Sequence, residues 1–186
     1  MKFFKVTLTL AITLFLVYAL NRSWSIQGKP LPPLGKFLDP FHGFWRNAET
    51  KNIAPASEAM MQGLNKEVTV IYDSTLIPHV YAANEEDLFF AQGYITAQHR
   101  LWQMELQTHA GAGRVSEILG SATLDFDRKQ RRLGMVYGAE NGAREMQNDP
   151  LMKKVVDQYT AGVNAYINSL TYELLLLEYK LLDYLT

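Results

Sequence analysis

The widest range of catalytic side-chain types in this 186-residue chain falls within one stretch, AQGYITAQHRLWQMEL, from Ala91 to Leu106. It carries an imidazole (His99), a guanidinium (Arg100), a carboxylate (Glu105) and two carboxamides (Gln98, Gln103). Such groups move protons, hold anions or orient a carbonyl when they converge. Helical spacing separates them here: Gln98 and Trp102 share one face, while His99, Gln103 and Gln107 share the next. The apolar residues between Leu88 and Leu106 cover more than one face, as in a helix enclosed by neighbours. Partly buried amides and an Arg–Glu contact within a helix bundle account for this pattern without catalysis.

The other chemically capable residues are scattered. His99 and His109, ten positions apart on one helix, point about 80° apart and lie about 15 Å apart along its axis, too far to share an ion. No H-E-x-x-H occurs, and His42 and His79 stand alone in the sequence. Asp125 and Asp127 offer oxygens to calcium, but two carboxylates two apart before a helix are expected to cap it. Ser57, Ser74, Ser116 and Ser121 sit in neither a G-x-S-x-G elbow nor an S-x-x-K pair. Ser116, in GRVSEILG, is expected on a helix surface. The sequence thus assigns no catalytic, cofactor-binding or metal-ligating residue to this chain.

The elements around these residues read as α+β, mainly helical, with two short strands. KEVTVIYD (Lys66–Asp73) alternates, with Val68, Val70 and Tyr72 on one face and Thr69 and Ile71 on the other. STLIPHVYAAN supplies a turn and a second extended run at 79–82, Pro78 holding Ile77 out of helical geometry. Asn84 is placed to cap a helix that runs to about Ala110, with Gly111 and Gly113 to stop it. A short helix is expected around Arg114–Leu119, closed by Gly120, and another near 126–146, capped by Asp125 or Asp127. Asp149 and Pro150 begin a last one, in which Met152, Val155, Val156, Tyr159, Val163, Tyr166, Ile167 and Leu170 recur at helical spacing.

Composition bounds the partners. Hydrophobic residues make up 48% and charged residues 20%, enough to bury a core. Lys+Arg number 18 against Asp+Glu 19, and no basic stripe interleaves with aromatics, so no nucleic-acid partner is expected. Cysteine is absent, which removes disulfides, thiolate metal sites and a cysteine nucleophile. The first residues, MKFFKVTLTLAITLFLVYAL, place Lys2 and Lys5 before an apolar run. Counted from Phe3, with Lys5 snorkelling, the run spans about 27 Å, close to the ~30 Å hydrocarbon core. Val17–Ala19 also fits a small-x-small cleavage site. Residues 1–22 are therefore read as a membrane anchor (through 3–20) or signal peptide, which puts the protein in the cell envelope. Residues 23–65 are read as a Pro/Gly-containing linker whose Leu34, Phe37, Leu38, Phe41, Phe44 and Trp45 pack on the body. Residues 66–186 form the remaining domain.

Five spaced motifs in this order resemble the start of the α chain of the penicillin acylase (penicillin amidase) family. They are VIYD (Val70–Asp73), IPHVYA (Ile77–Ala82), AQGYITAQHRLWQME (Ala91–Glu105), GRVSEILG (Gly113–Gly120) and LDFDRKQRRLG (Leu124–Gly134). DQYTAGVNAYI (Asp157–Ile167) and LEYKLLDY (Leu177–Tyr184) resemble the segments that follow. Two positions depart from the pattern: Leu76 stands where the family prefers glycine, and His99 where an aspartate is common. The resemblance implies an αββα N-terminal-nucleophile hydrolase that cleaves linear amides of acylated small molecules. It also implies a precursor cut so that a β chain begins with the serine nucleophile, beside an oxyanion hole of the same chain. Calcium is implied in the complete protein, but its glutamate ligand falls after the segment matching Tyr184. The resemblance carries no catalytic position onto these residues and implies a β-chain partner.

Overall fold

A computed structural model describes residues 2–26, 29–48 and 63–182. In chain order the elements are α1 (Lys2–Leu20), β1 (Trp24–Ile26), β2 (Lys29–Leu31), α2 (Leu34–Leu38) and α3 (Phe44–Ala48), then β3 (Val68–Tyr72) and β4 (Pro78–Ala82). There follow α4 (Glu85–Ala112), α5 (Ser116–Leu119), a 3-10 turn (Ser121–Thr123), α6 (Leu124–Arg132), α7 (Met135–Met146) and α8 (Pro150–Ser169). A second 3-10 turn (Tyr172–Leu174) leads into α9 (Leu177–Leu182). The fold is mainly helical, with two separate antiparallel hairpins among the described residues.

Strands β3 and β4 pair with Val68 opposite Ala82 and Tyr72 opposite Pro78. The alternation expected from sequence holds: Val68, Val70 and Tyr72 are half-buried, while Thr69 and Ile71 are exposed. Pro78 opens its strand, where a missing N–H costs least. The hairpin lies along α4. Helix α4 is capped as expected: Asn84 Oδ1 accepts the Asp87 N–H at 2.8 Å, with Glu85, Glu86 and Asp87 in the first turn. It runs past Gly111 and ends at Gly113, whose φ of 65° gives the left-handed cap. The helix is kinked within the 94–104 span, where Arg100 takes φ −137° and ψ 16°.

Helix α8 is the principal partner of α4, and two glycines set how closely they meet. A Cβ on Gly93 would overlap the Tyr159 carbonyl of α8, and one on Gly162 would overlap the Phe90 carbonyl of α4. Backbone therefore meets backbone at the crossing. Around it lie the buried Phe90, Ala91, Ile95, Ala97 and Leu101. Tyr94 and Tyr166 meet edge-on with centroids 5.4 Å apart, and Trp102 meets the buried Tyr179 of α9 at 5.2 Å. Phe89 and Trp102 are half-buried in this chain.

Three expectations change. The helix expected over 126–146 is two helices, because Gly134 adopts φ 67° and separates α6 from α7. Asp125 and Asp127 cap neither; both lie in the first turn of α6. The Pro/Gly-containing segment is not without structure, since β1, β2, α2 and α3 fall within it. Its large side chains pack little on the body: Leu38, Phe41 and Trp45 are 55%, 75% and 66% exposed. The reading of residues 49–62, Ser57 included, lies outside the described residues.

The crossing and α7 make a matched test. Gly162→Ala should destabilise the chain by roughly 1–3 kcal/mol, because backbone rather than a flexible side chain must yield. A Cβ on Gly138 of α7 meets nothing within 4 Å, so Gly138→Ala should stabilise by about 0.5–1 kcal/mol. Denaturant midpoints read both; equal shifts of one sign would refute the tight crossing.

Candidate functional site

Polar and titratable groups converge at three places along α4. The first is the β3–β4 turn. One oxygen of Asp73 accepts the Thr75 N–H at 2.8 Å, the Thr75 hydroxyl at 2.7 Å and the Ile77 N–H at 2.9 Å. Its other oxygen lies 3.5 Å from His79 Nε2, so His79 has a carboxylate neighbour rather than standing alone. The Ile77 N–H and the Thr75 hydroxyl are the main reasons the Asp73 carboxyl is held down at about 2. Leu76, where glycine was preferred, takes the glycine-type conformation itself, with φ 61°. Four hydrogen bonds to one carboxylate hold a leucine in a geometry it disfavours. His42 likewise has Asp39 at 3.3 Å.

The second is the kink. The Tyr72 hydroxyl lies 2.9 Å from His99 Nε2, joining β3 to α4 beside Arg100. Burial, then the Arg100 charge, lowers the His99 pKa and favours the neutral ring that this contact suits.

The third is the joint between α4, α5 and α6. His109 is 5% exposed; its Nδ1 lies 3.0 Å from the Glu105 carbonyl and 3.1 Å from Glu105 Oε1, and its Nε2 3.9 Å from Glu117 Oε2. Arg114 grips Glu117 through Nε at 2.9 Å and a terminal nitrogen at 2.7 Å, which holds the Glu117 carboxyl below its ordinary pKa. Asp127 accepts the Val115 N–H at 2.9 Å and the Ser116 N–H at 2.7 Å. It thus serves the start of α5 from another helix. Burial alone would raise its pKa; the Ser116 and Val115 hydrogen bonds and the Arg131 charge outweigh that and lower it. Arg131 Nε donates to the Gly113 carbonyl at 2.9 Å. Every group named is engaged in closing one helix or opening the next.

Another carboxylate gathers backbone N–H groups at the other end of α4. Asp87 accepts the Asn65 and Lys66 N–H groups at 2.7 and 2.9 Å and fastens the lead-in to β3. Sequence reasoning did not single out Asp87 or Glu117. An acid in a helix's first turn reads as a dipole partner, and its remote donors cannot be seen locally.

The groups of the 91–106 stretch do not converge. The amides expected to be partly buried are not: Gln98, Gln103 and Gln107 are exposed, as is Arg100, His99 is covered only in part, and Glu105 turns toward His109. Ser74 and Ser121 are exposed, and Ser116 engages Asp127. Among the described residues no group of three His, Cys, Asp or Glu is placed to hold a metal ion. The chemistry available is cation–carboxylate pairing and helix capping, which positions backbone.

The turn yields two predictions. Asp73 should titrate near 2 by carboxyl NMR shift; since its folded pKa lies below the usual 3.8, its contribution is complete above pH 3.8 and fades as pH falls through about 2. A midpoint at 3.8 or above would refute the bonding described. Leu76→Gly should stabilise by up to about 1 kcal/mol, the left-handed cost of leucine being partly offset by glycine's unfolded entropy. A lowered melting temperature would count against it.

Comparisons with known proteins agree with this architecture. The penicillin amidase family model matches residues 67–186, from the edge of β3 onward. Penicillin acylase 2 proenzyme of Pseudomonas sp. (strain SE83) is 36% identical over 67% of this chain and 16% of its own length. Penicillin G acylase of Escherichia coli is 31% identical over 59% of this chain and 13% of its own. An acyl-homoserine lactone acylase, QuiP of Pseudomonas syringae pv. tomato, is 30% identical over 64% and 14%. The chain thus spans about a sixth of these relatives or less. A solved thermostable penicillin G acylase from Alcaligenes faecalis superposes with a TM-score of 0.55 at 28% identity, covering 63% of each chain. That likeness puts the helices and hairpin in the N-terminal-nucleophile hydrolase fold. By the match across 67–186 and the structural likeness together, this chain belongs to the penicillin amidase family.

Proposed function

We propose that this chain is the N-terminal part of a cell-envelope amidohydrolase that cleaves the linear amide bond of acylated small molecules. The observation that carries the reading is the penicillin amidase match over 67–186. The relatives' names divide between penicillins and acyl-homoserine lactones, so acyl-amine is the substrate class proposed. The chain's own contribution is scaffold: α4 and α8 lock together, and the polar joints fix the hairpin and the short helices to them. Nucleophile and oxyanion donors belong to a β chain made from the same precursor. The exposed apolar residues of α6, α7 and the turn between them, Phe126, Leu133, Met135, Val136 and Tyr137 among them, support such a partner, as do the open edges of the β3–β4 hairpin.

Calcium belongs to the proposed complete protein. With no three ligand-type side chains converging among the described residues, they do not fit a calcium cage, and no step is assigned to the ion. Helix α1 supports an envelope location: Phe3–Leu20 is apolar and long enough to cross a membrane, and none of it is buried. It acts as an anchor, or as a signal segment that is removed.

Purified residues 1–186 should not release the chromophore from a phenylacetyl- or acyl-anilide above a mock preparation. The full reading frame should do so. Turnover by these residues alone would overturn the scaffold reading. Inactivity of the full frame would favour a membrane-anchored helical interaction protein.

A further inference from the structure

We propose that residues 18–26 and 29–46 form a collar that lies on the membrane surface where α1 leaves the bilayer. Trp24, Ile26, Leu38, Phe41, Phe44 and Trp45 then sit among lipid headgroups and upper acyl chains. This rests on α1 being a retained membrane segment, and adds where the chain goes once it emerges.

The end of α1 has interfacial chemistry. The Trp24 indole N–H reaches back to the Ala19 carbonyl at 2.7 Å, and the Asn21 carboxamide to the Val17 carbonyl at 2.9 Å. Arg22 hydrogen-bonds the Tyr18 hydroxyl and lies over the Tyr18 ring, 5.5 Å from its centroid. Trp24 and Asn21 satisfy carbonyls of the last turn while Tyr18 and Arg22 pair beside them, and such an aromatic and cationic set at the end of an apolar helix matches the amphipathic belt found at headgroup depth. Such a helix end needs donors at the point where water becomes scarce.

The chain then stays close to that end. A Cβ on Gly35 would stand 2.5 Å from Asn21 Oδ1 and 3.2 Å from the Leu20 carbonyl, so α2 sits directly against the last turn of α1. If α1 crosses the bilayer, α2 is held at the interface by contact. The side chains presented by β1, α2, α3 and the α2–α3 turn are unlike those of an aqueous surface. Phe41 is 75% exposed, Trp45 66%, Ile26 59% and Leu38 55%. Phe37 stacks on Phe44 at 5.3 Å, and Phe44 meets Trp45 at 5.6 Å, so the rings form one patch. Charge favours anionic lipid as the occupant: over 21–46 the basic residues are Arg22, Lys29, Lys36 and Arg46, and the acidic one is Asp39.

The test uses the full chain in phosphatidylcholine vesicles, with and without phosphatidylglycerol. The three tryptophans report position, Trp24 and Trp45 in the collar and Trp102 packed on Tyr179 as an internal reference. In vesicles carrying lipid brominated near the headgroup, the Trp45 signal, taken as wild type minus Trp45→Phe, should be quenched several-fold more than by lipid brominated near the chain ends. Trp102 should be unaffected. Because the chain has no cysteine, a single Phe41→Cys carrying an environment-sensitive dye gives a second reading that touches no core residue. Its emission should shift to the blue on vesicles, more so with phosphatidylglycerol. A chain that floats with vesicles while Trp45 and position 41 stay accessible to aqueous iodide overturns the collar and leaves the anchor standing. Shielding from both iodide and brominated lipid overturns it in favour of a protein partner. A chain that does not float removes the anchor, and the collar with it.

Discussion

The contact on which the rest of this structure depends is the backbone-to-backbone crossing of α4 and α8 at Gly93 and Gly162. Neither helix can approach so closely with a methyl group at either position. That approach brings Tyr94 onto Tyr166 and places Lys154 of α8 2.7 Å from Glu86 in the first turn of α4. It also leaves the Ala97–Leu101 segment facing Val163, Tyr166 and Ile167, with Tyr179 of α9 closing the cluster. Large side chains fill the space on either side of a contact that is itself made by their absence.

Two carboxylates fasten neighbouring segments to this pair, each by accepting backbone N–H groups from another segment. Asp87 takes those of Asn65 and Lys66 at one end of α4, and Asp127 those of Val115 and Ser116 at the other. An ionised carboxylate is acceptor-only, and two N–H groups at the start of a helix or strand are donors without partners, so each need answers the other. This explains why a chain well supplied with acids, arginines and histidines has no reactive cluster among its described residues. Its polar chemistry is used to set the direction of the backbone.

What could be read from the sequence follows the range of the interactions. The β3–β4 alternation and the Asn84 and Asp149 caps are local, and the structure has them where the pattern put them. Gly134 is local too, yet the single helix expected over 126–146 runs through it and misses its left-handed turn. The roles of Gly93, Gly162, Asp87 and Asp127 were not legible, since each is defined by a residue remote in sequence. The same holds for His99: its family position is polar, but only the folded hairpin reveals Tyr72 as its neighbour. The family motifs were legible, Leu76 and His99 aside, because their residues recur in one order at set spacing along the chain.

The α4–α8 crossing also sets a schedule. Its two glycines are separated by roughly seventy residues, which a ribosome adding about 5–20 residues per second takes between about 3 and 14 s to make. Throughout that interval Phe90, Ile95 and Leu101 have been synthesised and their partner helix has not. The nascent chain therefore carries an uncovered apolar helix for seconds before Gly162 arrives to meet it.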